Sequence, residues 1–214
     1  LPSPRRPISA PKNIQISEKS KYSLTFEDLY LKPIINWDEK ITNRWTVSEN
    51  AAQQRLDEFV LDELQDYRDG RNFPDKANVS RLSPYLHFGQ ISPNTAWYRA
   101  LDASALIANE KSLDTFLSEL GWREFSYYLL YHFPHLPHKN LQSKFDAFPW
   151  PKTQASILRL WKSGKTGYPL VDAGMRELYS TGYMHNRVRM VVGSFLVKNL
   201  LIHWHEGESW FWDC

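Results

Sequence analysis

In Glu119-Leu-Gly-Trp122-Arg123-Glu-Phe125-Ser-Tyr-Tyr-Leu129 a carboxylate, an indole and a guanidinium recur at helical spacing. Residues three and four apart share a helix face, so Glu119, Trp122 and Arg123 stand together. Such a face can stack on a planar ring, hydrogen-bond its edge and hold a phosphate. The plainer alternative is a core helix with an internal Glu119–Arg123 ion pair. Apolar side chains run almost all round residues 110–132, the pattern of a central helix buried on every side.

Composition narrows the classes around that helix. The chain has 214 residues, enough to bury a sizeable core in one domain, or in one domain plus an arm. With 26 Lys+Arg against 24 Asp+Glu it is no polycation, so any nucleic-acid contact must come from a local patch. Aromatics make up 14% of residues, with nine Trp, which suits planar ligands as well as dense helical packing. The one cysteine, Cys214, excludes an internal disulfide framework and fits a reducing compartment. No apolar run approaches the roughly 18 residues of a membrane span, and no signal-peptide pattern is present. Leu1 in place of Met, and Trp210-Phe-Trp212 with nothing after Cys214 to cover it, read as a chain cut at both ends.

Residues 1–45 differ from the rest. Pro2, Pro4, Pro7, Pro11 and Pro33 break helices, and Arg5, Arg6, Lys12, Lys19 and Lys21 make the stretch basic, as in a linker or arm. A helical domain is expected over 46–214. Thr46-Val-Ser-Glu49 fits a capping box, Leu56, Phe59, Val60, Leu64 and Tyr67 follow at helical spacing, and Gly70 and Pro74 end that element. Ser83-Pro84 and Ser92-Pro93 each place a hydroxyl cap before a proline at the first helical position. Helices are predicted near 83–89, 92–103, 110–132, 153–163, 168–181, 184–201 and 205–213, with a proline-rich loop over 133–152. No strand alternation and no repeat appear, so the predicted class is all-α.

Ser80-Arg81-Leu82-Ser83 enters a helix, where free amides and the positive dipole end suit a phosphate; ordinary capping is the alternative. Ser163-Gly164-Lys165-Thr166-Gly167 looks like a nucleotide loop, but Arg159 stands where a Walker A needs glycine, so it reads as a helix end and a turn into Tyr168-Pro169. Asn186, Arg189, Met190 and Gly193 share one face of the helix opened by Tyr183-Met-His185, and Arg187 another. Two arginines at a helix start oppose the dipole, which favours partners for them over a plain solvated end. His185, His203 and His205 lack zinc-ligand spacing and no metal site is expected. His132, His135 and His138 read as surface residues, and no serine has the setting of a hydrolase nucleophile.

Taken together, these segments resemble the photolyase/cryptochrome family, in its multi-helical FAD-binding domain. The matching stretches are Tyr67-Arg-Asp-Gly-Arg71-Asn-Phe-Pro74, Ser80-Arg-Leu-Ser-Pro-Tyr-Leu-His-Phe-Gly89, Glu119-Leu-Gly-Trp-Arg-Glu-Phe125, Gly164-Lys-Thr-Gly-Tyr-Pro-Leu-Val-Asp-Ala173 and Met184-His-Asn-Arg-Val-Arg-Met190. They occur in the family's order from about residue 46 to 214. The branch most resembled is the bacterial-type cyclobutane pyrimidine dimer photolyases. Asn186 is the main reason, since plant cryptochromes usually carry Asp there and (6-4) photolyases His.

The resemblance implies a light-driven DNA repair enzyme, a deoxyribodipyrimidine photo-lyase. Excited, fully reduced FAD would donate an electron to the dimer, the cyclobutane would split and the electron would return. By position, Tyr67 and Ser80, Arg81, Leu82 and Ser83 would hold the cofactor's phosphates and ribitol. Phe116 would pack near the flavin, and Arg123, Asn186 and Arg189 would line its side. Glu119 would hydrogen-bond the flipped dimer, Trp122 stack on it and Met190 pack beside it, with Asn186 between cofactor and lesion. Arg71 and Arg187 would clamp backbone phosphates. Trp204 matches the middle and Trp150 the outermost member of an electron-transfer chain. UV-damaged DNA is the implied partner, with no membrane and no obligate protein partner, and the localisation that of a cytoplasmic bacterial enzyme.

Departures from the family pattern bear on this reading. Val79 replaces a common Thr and Tyr183 a common Trp. The family continues past the position of Cys214 into an acidic segment that would pair with Arg189, and carries an antenna chromophore on an N-terminal α/β domain. The expectation is therefore an excised part of the domain, truncated at its C-terminal end, with FAD weak or absent and repair inactive in these 214 residues alone. The competing readings are a cryptochrome-like blue-light photoreceptor and an inactive helical scaffold.

Overall fold

The computed structural model describes residues 3–5, 8, 11–14, 22–25, 27–106 and 109–214. Pro2, Arg6, Pro7, Lys19 and Lys21 of the expected arm lie outside the described residues. Among the described residues there is no strand, and the fold is all-α, as its periodicity predicts. The helices are α1 (Glu39–Thr42), α2 (Glu49–Glu58), α3 (Tyr67–Gly70), α4 (Ser83–His87), α5 (Pro93–Asp102), α6 (Glu110–His132), α7 (Ala155–Lys162), α8 (Pro169–Thr181), α9 (Asn186–Ser194) and α10 (Trp204–Asp213).

Two cores organise them. Leu56, Phe59, Leu64, Leu82, Phe116 and Leu120 belong to the first, built from α2 to α6, and Trp161, Met175, Leu178, Val192 and Leu196 to the second, built from α7 to α10. Trp45 joins the two. Its indole N–H donates to the Thr181 carbonyl at 2.7 Å, and its ring meets Tyr85 and Tyr183, each at 6.1 Å between centroids. Short α1, from the expected arm, packs on α8. A Cβ on Gly174 would collide with Val188 Cγ1, so α8 and α9 approach as closely as a glycine allows.

Several local expectations change. The cap of α2 is Ser48, whose hydroxyl accepts from the Ala51 amide; Thr46 instead offers its carbonyl to the Tyr85 hydroxyl. Ser92 caps α5 as expected, but Ser83 is already helical and makes no capping bond, leaving its hydroxyl free for the cleft described below. The element opened by α2 widens into a π-helical turn at Phe59–Glu63 and tightens over Leu64–Asp66 before α3. Likewise the expected 184–201 helix starts at Asn186 and turns π-helical over Phe195–Asn199.

The largest departure is in α6. Its buried residues, Ser112, Leu113, Phe116, Leu117 and Leu120, end one residue before Gly121. Beyond them Trp122, Phe125, Tyr127, Tyr128, Leu130 and Tyr131 are all exposed. The helix is central over its first half and bare over its second.

The Trp45 link makes a specific stability claim. Trp45→Phe keeps the ring and removes the donor to Thr181. It should lower the unfolding free energy by about 1 kcal/mol in urea titration, the usual worth of one such bond. A loss indistinguishable from zero would show that the indole bond does not join the cores.

Candidate cofactor and lesion site

A cleft opens where α3, the 79–83 segment, α6 and the start of α9 meet. Its floor is an aromatic triad. Tyr67 meets Phe59 edge-on at 5.4 Å and Phe116 at 5.7 Å, and Phe59 meets Phe116 at 4.8 Å. Burial pushes the Tyr67 phenol up to about 12, with Arg71 opposing the shift, so it stays a neutral donor.

The 79–83 wall is held from behind. Arg55 on α2 donates to the carbonyls of Ser80 (2.9 Å) and Val79 (3.1 Å) and pairs with Glu63 at 2.6 Å. The chain then turns through Arg81 at φ +52°, a left-handed conformation that non-glycine residues rarely adopt and that concentrates at ligand sites. Arg81 sends its guanidinium over the Tyr183 ring, 5.4 Å from its centroid.

Opposite lies α6. Glu119 does not pair with Arg123, as a helical i,i+4 ion pair would require. It takes the Arg71 guanidinium at 2.5 Å, from 48 residues away. Arg123 instead bonds Glu124 (2.6 Å), the Leu86 carbonyl (3.3 Å) and the Tyr127 hydroxyl (3.4 Å). Arg71 is the better-buried partner, its side chain 12% exposed against 36% for Glu119, so it fixes the carboxylate while leaving it an open edge.

The third wall contains a residue that sequence reasoning passed over. His185 is buried and caps α9, its Nδ1 accepting from the Arg187 amide at 3.2 Å. Nδ1 then carries no proton, and the neutral ring must hold its hydrogen on Nε2. That atom is buried with no partner. Burial, together with Arg187, Arg71 and Arg81, holds the imidazole below its ordinary range. Histidine is not among the usual N-cap residues, so nothing along the chain marks it.

Two adjoining compartments result. One, of about 430 Å³, is lined by Tyr67, Ser80, Leu82, Ser83, Phe116, Glu119 and Arg123 among others. The other, of about 220 Å³, adds Arg71, Arg81, Tyr183, His185 and Asn186. Trp122 stands one turn beyond Glu119, 62% exposed, its edge on Phe125. Arg187 lies outside the cleft, bonded to Asn72 Oδ1 at 2.9 and 2.7 Å and to Met190, which is exposed. Arg189 is turned away, its guanidinium 4.9 Å over Phe211, and forms no ion pair among the described residues. Trp150 and Trp204 form a separate cluster bridged by His203, at 5.0 and 5.7 Å.

Residues 116–214 match the family described as the FAD binding domain of DNA photolyase. The deoxyribodipyrimidine photo-lyase of Agrobacterium fabrum is 44% identical over 213 residues, 98% of this chain and 44% of that protein. The chain belongs to the photolyase/cryptochrome family. Cryptochrome-2 of Arabidopsis thaliana is also similar, 41% identical over 179 residues, 81% of this chain and 29% of that protein. A bacterial class III photolyase from Agrobacterium tumefaciens superposes with TM-score 0.82 at 45% identity, covering 94% of this chain and 40% of that one. The chain thus spans less than half the length of the relatives it matches.

The residues present fit the cofactor of that domain. The larger compartment, about 430 Å³, falls in the range of small-molecule and cofactor sites, roughly 300–1,000 Å³, and the smaller one adjoins it. Their apolar floor suits a flat ring, the hydroxyls of Ser80 and Ser83 suit phosphate oxygens, and the unpartnered His185 Nε2–H is a buried donor awaiting an acceptor.

The cap of α9 can be tested without any ligand. His185→Ala removes it and should cost about 1 kcal/mol, whereas His185→Asn restores a capping oxygen and should recover most of that. The depressed imidazole also fixes a sign. As pH falls from about 7 to about 5 the unfolded chain takes up the proton first, so the His185 share of stability is present above the ordinary histidine range and lost below it. Urea midpoints should therefore fall less with pH in the Asn variant than in the wild type. Equal slopes would mean that His185 does not titrate as a buried neutral cap.

Proposed function

We propose that this chain supplies the FAD cleft and the lesion-facing surface of a deoxyribodipyrimidine photo-lyase acting on cyclobutane pyrimidine dimers in UV-damaged DNA. The observation that carries the proposal is the placement of Glu119 at the cleft edge, oriented by Arg71, with the open Trp122 ring one helical turn away. Bound in the cleft, reduced FAD supplies the light-driven electron. Tyr67, Ser80, Arg81, Leu82 and Ser83 hold its phosphate and ribitol portion. Phe116, Arg123 and Asn186 flank the flavin, whereas Arg189, turned onto Phe211, does not line this cleft.

Glu119 accepts hydrogen bonds from the extruded dimer, and Trp122 stacks on it with Met190 alongside. A dimer pairs poorly, so extruding it costs less than extruding normal bases. Arg71, beyond orienting Glu119, and Arg187 face the DNA backbone, and Trp150 and Trp204, joined through His203, form an electron path. Residues 1–45 serve as a linker or arm to the helical unit. The resemblance to cryptochrome-2 favours a second reading, a blue-light photoreceptor with the same cleft and no lesion chemistry.

Exchanged for the matching part of the Agrobacterium fabrum photo-lyase, the chain should sustain light-dependent removal of dimers from an irradiated oligonucleotide. Within that protein, Trp122→Ala should weaken binding of dimer-containing DNA by roughly 1–3 kcal/mol, the worth of base–aromatic stacking, and leave undamaged duplex almost unaffected. Equal losses on both DNAs would remove Trp122 from the lesion site. A chimera that holds flavin but does not distinguish the two DNAs would favour the photoreceptor.

Arg187→Ala should instead weaken both DNAs alike and lower the salt slope of binding by about one unit. An unchanged slope would take Arg187 out of the phosphate contacts and leave it its bonds to Asn72 and Met190.

A further inference from the structure

A cavity of about 810 Å³ lies apart from the cleft, between α7, α8 and the end of α10, and shares no lining residue with it. Leu158, Met175 and Trp210 give it an apolar floor. The Trp210 ring lies parallel to that of Tyr179, 4° between planes and 6.4 Å between centroids. Around the rim stand Lys40, Arg159 and Lys162, and among the described residues no carboxylate lines the cavity.

The rim is cationic, and its charges have no carboxylate partner among the described residues. Arg55, Arg71, Arg99 and Arg123, around the first core, each face a carboxylate at 2.6 Å or closer. A further lining arginine, Arg176, is occupied with the Gly164 carbonyl at 2.7 Å. Lys162 holds its ammonium over Trp210, 5.0 Å from the ring centroid. Uncompensated like charges around a concave apolar wall concentrate positive potential there and raise the local concentration of anions. The same wall favours a flat apolar body over a bare inorganic ion.

We infer that this cavity binds a small planar aromatic molecule carrying an anionic group, its ring against Trp210 and Tyr179 and its anion between Lys162 and Arg159. Lys162 changes partner on binding. A cation–π contact on a half-buried ring is modest, whereas an ammonium–carboxylate hydrogen bond is charge-assisted and among the stronger ones. The ammonium therefore moves from the ring to the ligand's anion and uncovers the ring face that the ligand stacks on. This inference is independent of the photolyase reading and survives its failure.

The test uses the 214-residue chain, naphthalene-2-carboxylate as probe and the isosteric neutral 2-naphthamide as control, followed by the Trp210 indole N–H signal in two-dimensional NMR. The carboxylate should bind saturably and about tenfold more tightly than the amide, the worth of one hydrogen bond to a charged group. Lys162→Gln with Arg159→Gln, both on the surface of α7, should abolish that preference while the amide binds as before. Ser80→Ala, in the cleft, should change neither. Equal affinity for acid and amide, or a preference that survives the double substitution, would overturn the inference. So would shifts confined to the Tyr67–Phe116 floor. A short oligothymidylate that moves the Trp210 signal where the naphthoate does not would overturn it in favour of a nucleic-acid contact.

Discussion

The guanidinium of Arg55 is the contact on which the candidate site rests. It reaches from α2 to hold two successive carbonyls, Val79 and Ser80, just ahead of the left-handed turn at Arg81. Its charge is met by Glu63, eight residues on. In a regular α-helix that spacing is rotated away from Arg55. The π-helical turn at Phe59–Glu63 takes up one extra residue per turn and brings Glu63 back to the same face. A local irregularity of the helix thus completes a long-range clamp, and the clamp presents Ser80 and Ser83 to the cleft. π-Helical turns of this kind concentrate at functional sites.

Charge pairing divides the molecule into settled and unsettled regions. Arg55–Glu63, Arg71–Glu119 and Arg99–Asp57 fix the first core and the cleft edge. Breaking a partly buried pair leaves one charge poorly solvated, so these contacts specify geometry more than they add stability. On the other side, Arg189 rests on Phe211 without a carboxylate, and Lys40, Arg159 and Lys162 surround an apolar cavity. Burial holds the Arg189 guanidinium below its ordinary range. A half-buried cation stacked on a ring, with no ion pair among the described residues, is incompletely compensated and marks unmet polar demand beside the second core.

The bare half of α6 belongs to the same division. A helix normally turns its apolar stripe inward. From Gly121 onward, α6 keeps aromatic residues on the outside, among them Trp122 and Tyr131. Contiguous apolar surface of this kind marks an interaction face. Its first turn lies beside Glu119 and is the face assigned above to a flipped dimer.

The sequence by itself determined the helical class, the order of the helices and most of their ends. Those signals are local: apolar residues at helical period, Ser92 before Pro93, Gly70 and Pro74 at the end of the first long element. It also carried the family, because five short segments retain their order and spacing. Tertiary structure decided the partners. Spacing alone pairs Glu119 with Arg123, yet Arg71 takes the carboxylate because the packing of α3 on α6 brings a better-buried guanidinium to it. Ser83 reads as a cap, but the turn at Arg81 starts the helix one residue early and frees its hydroxyl. His185 showed no signal in sequence, since its role depends on the start of α9 being buried against the cleft. Residue type and spacing are legible along the chain. Burial and the choice among competing charged partners belong to contacts between segments far apart in it, and those exist only once the two cores have closed.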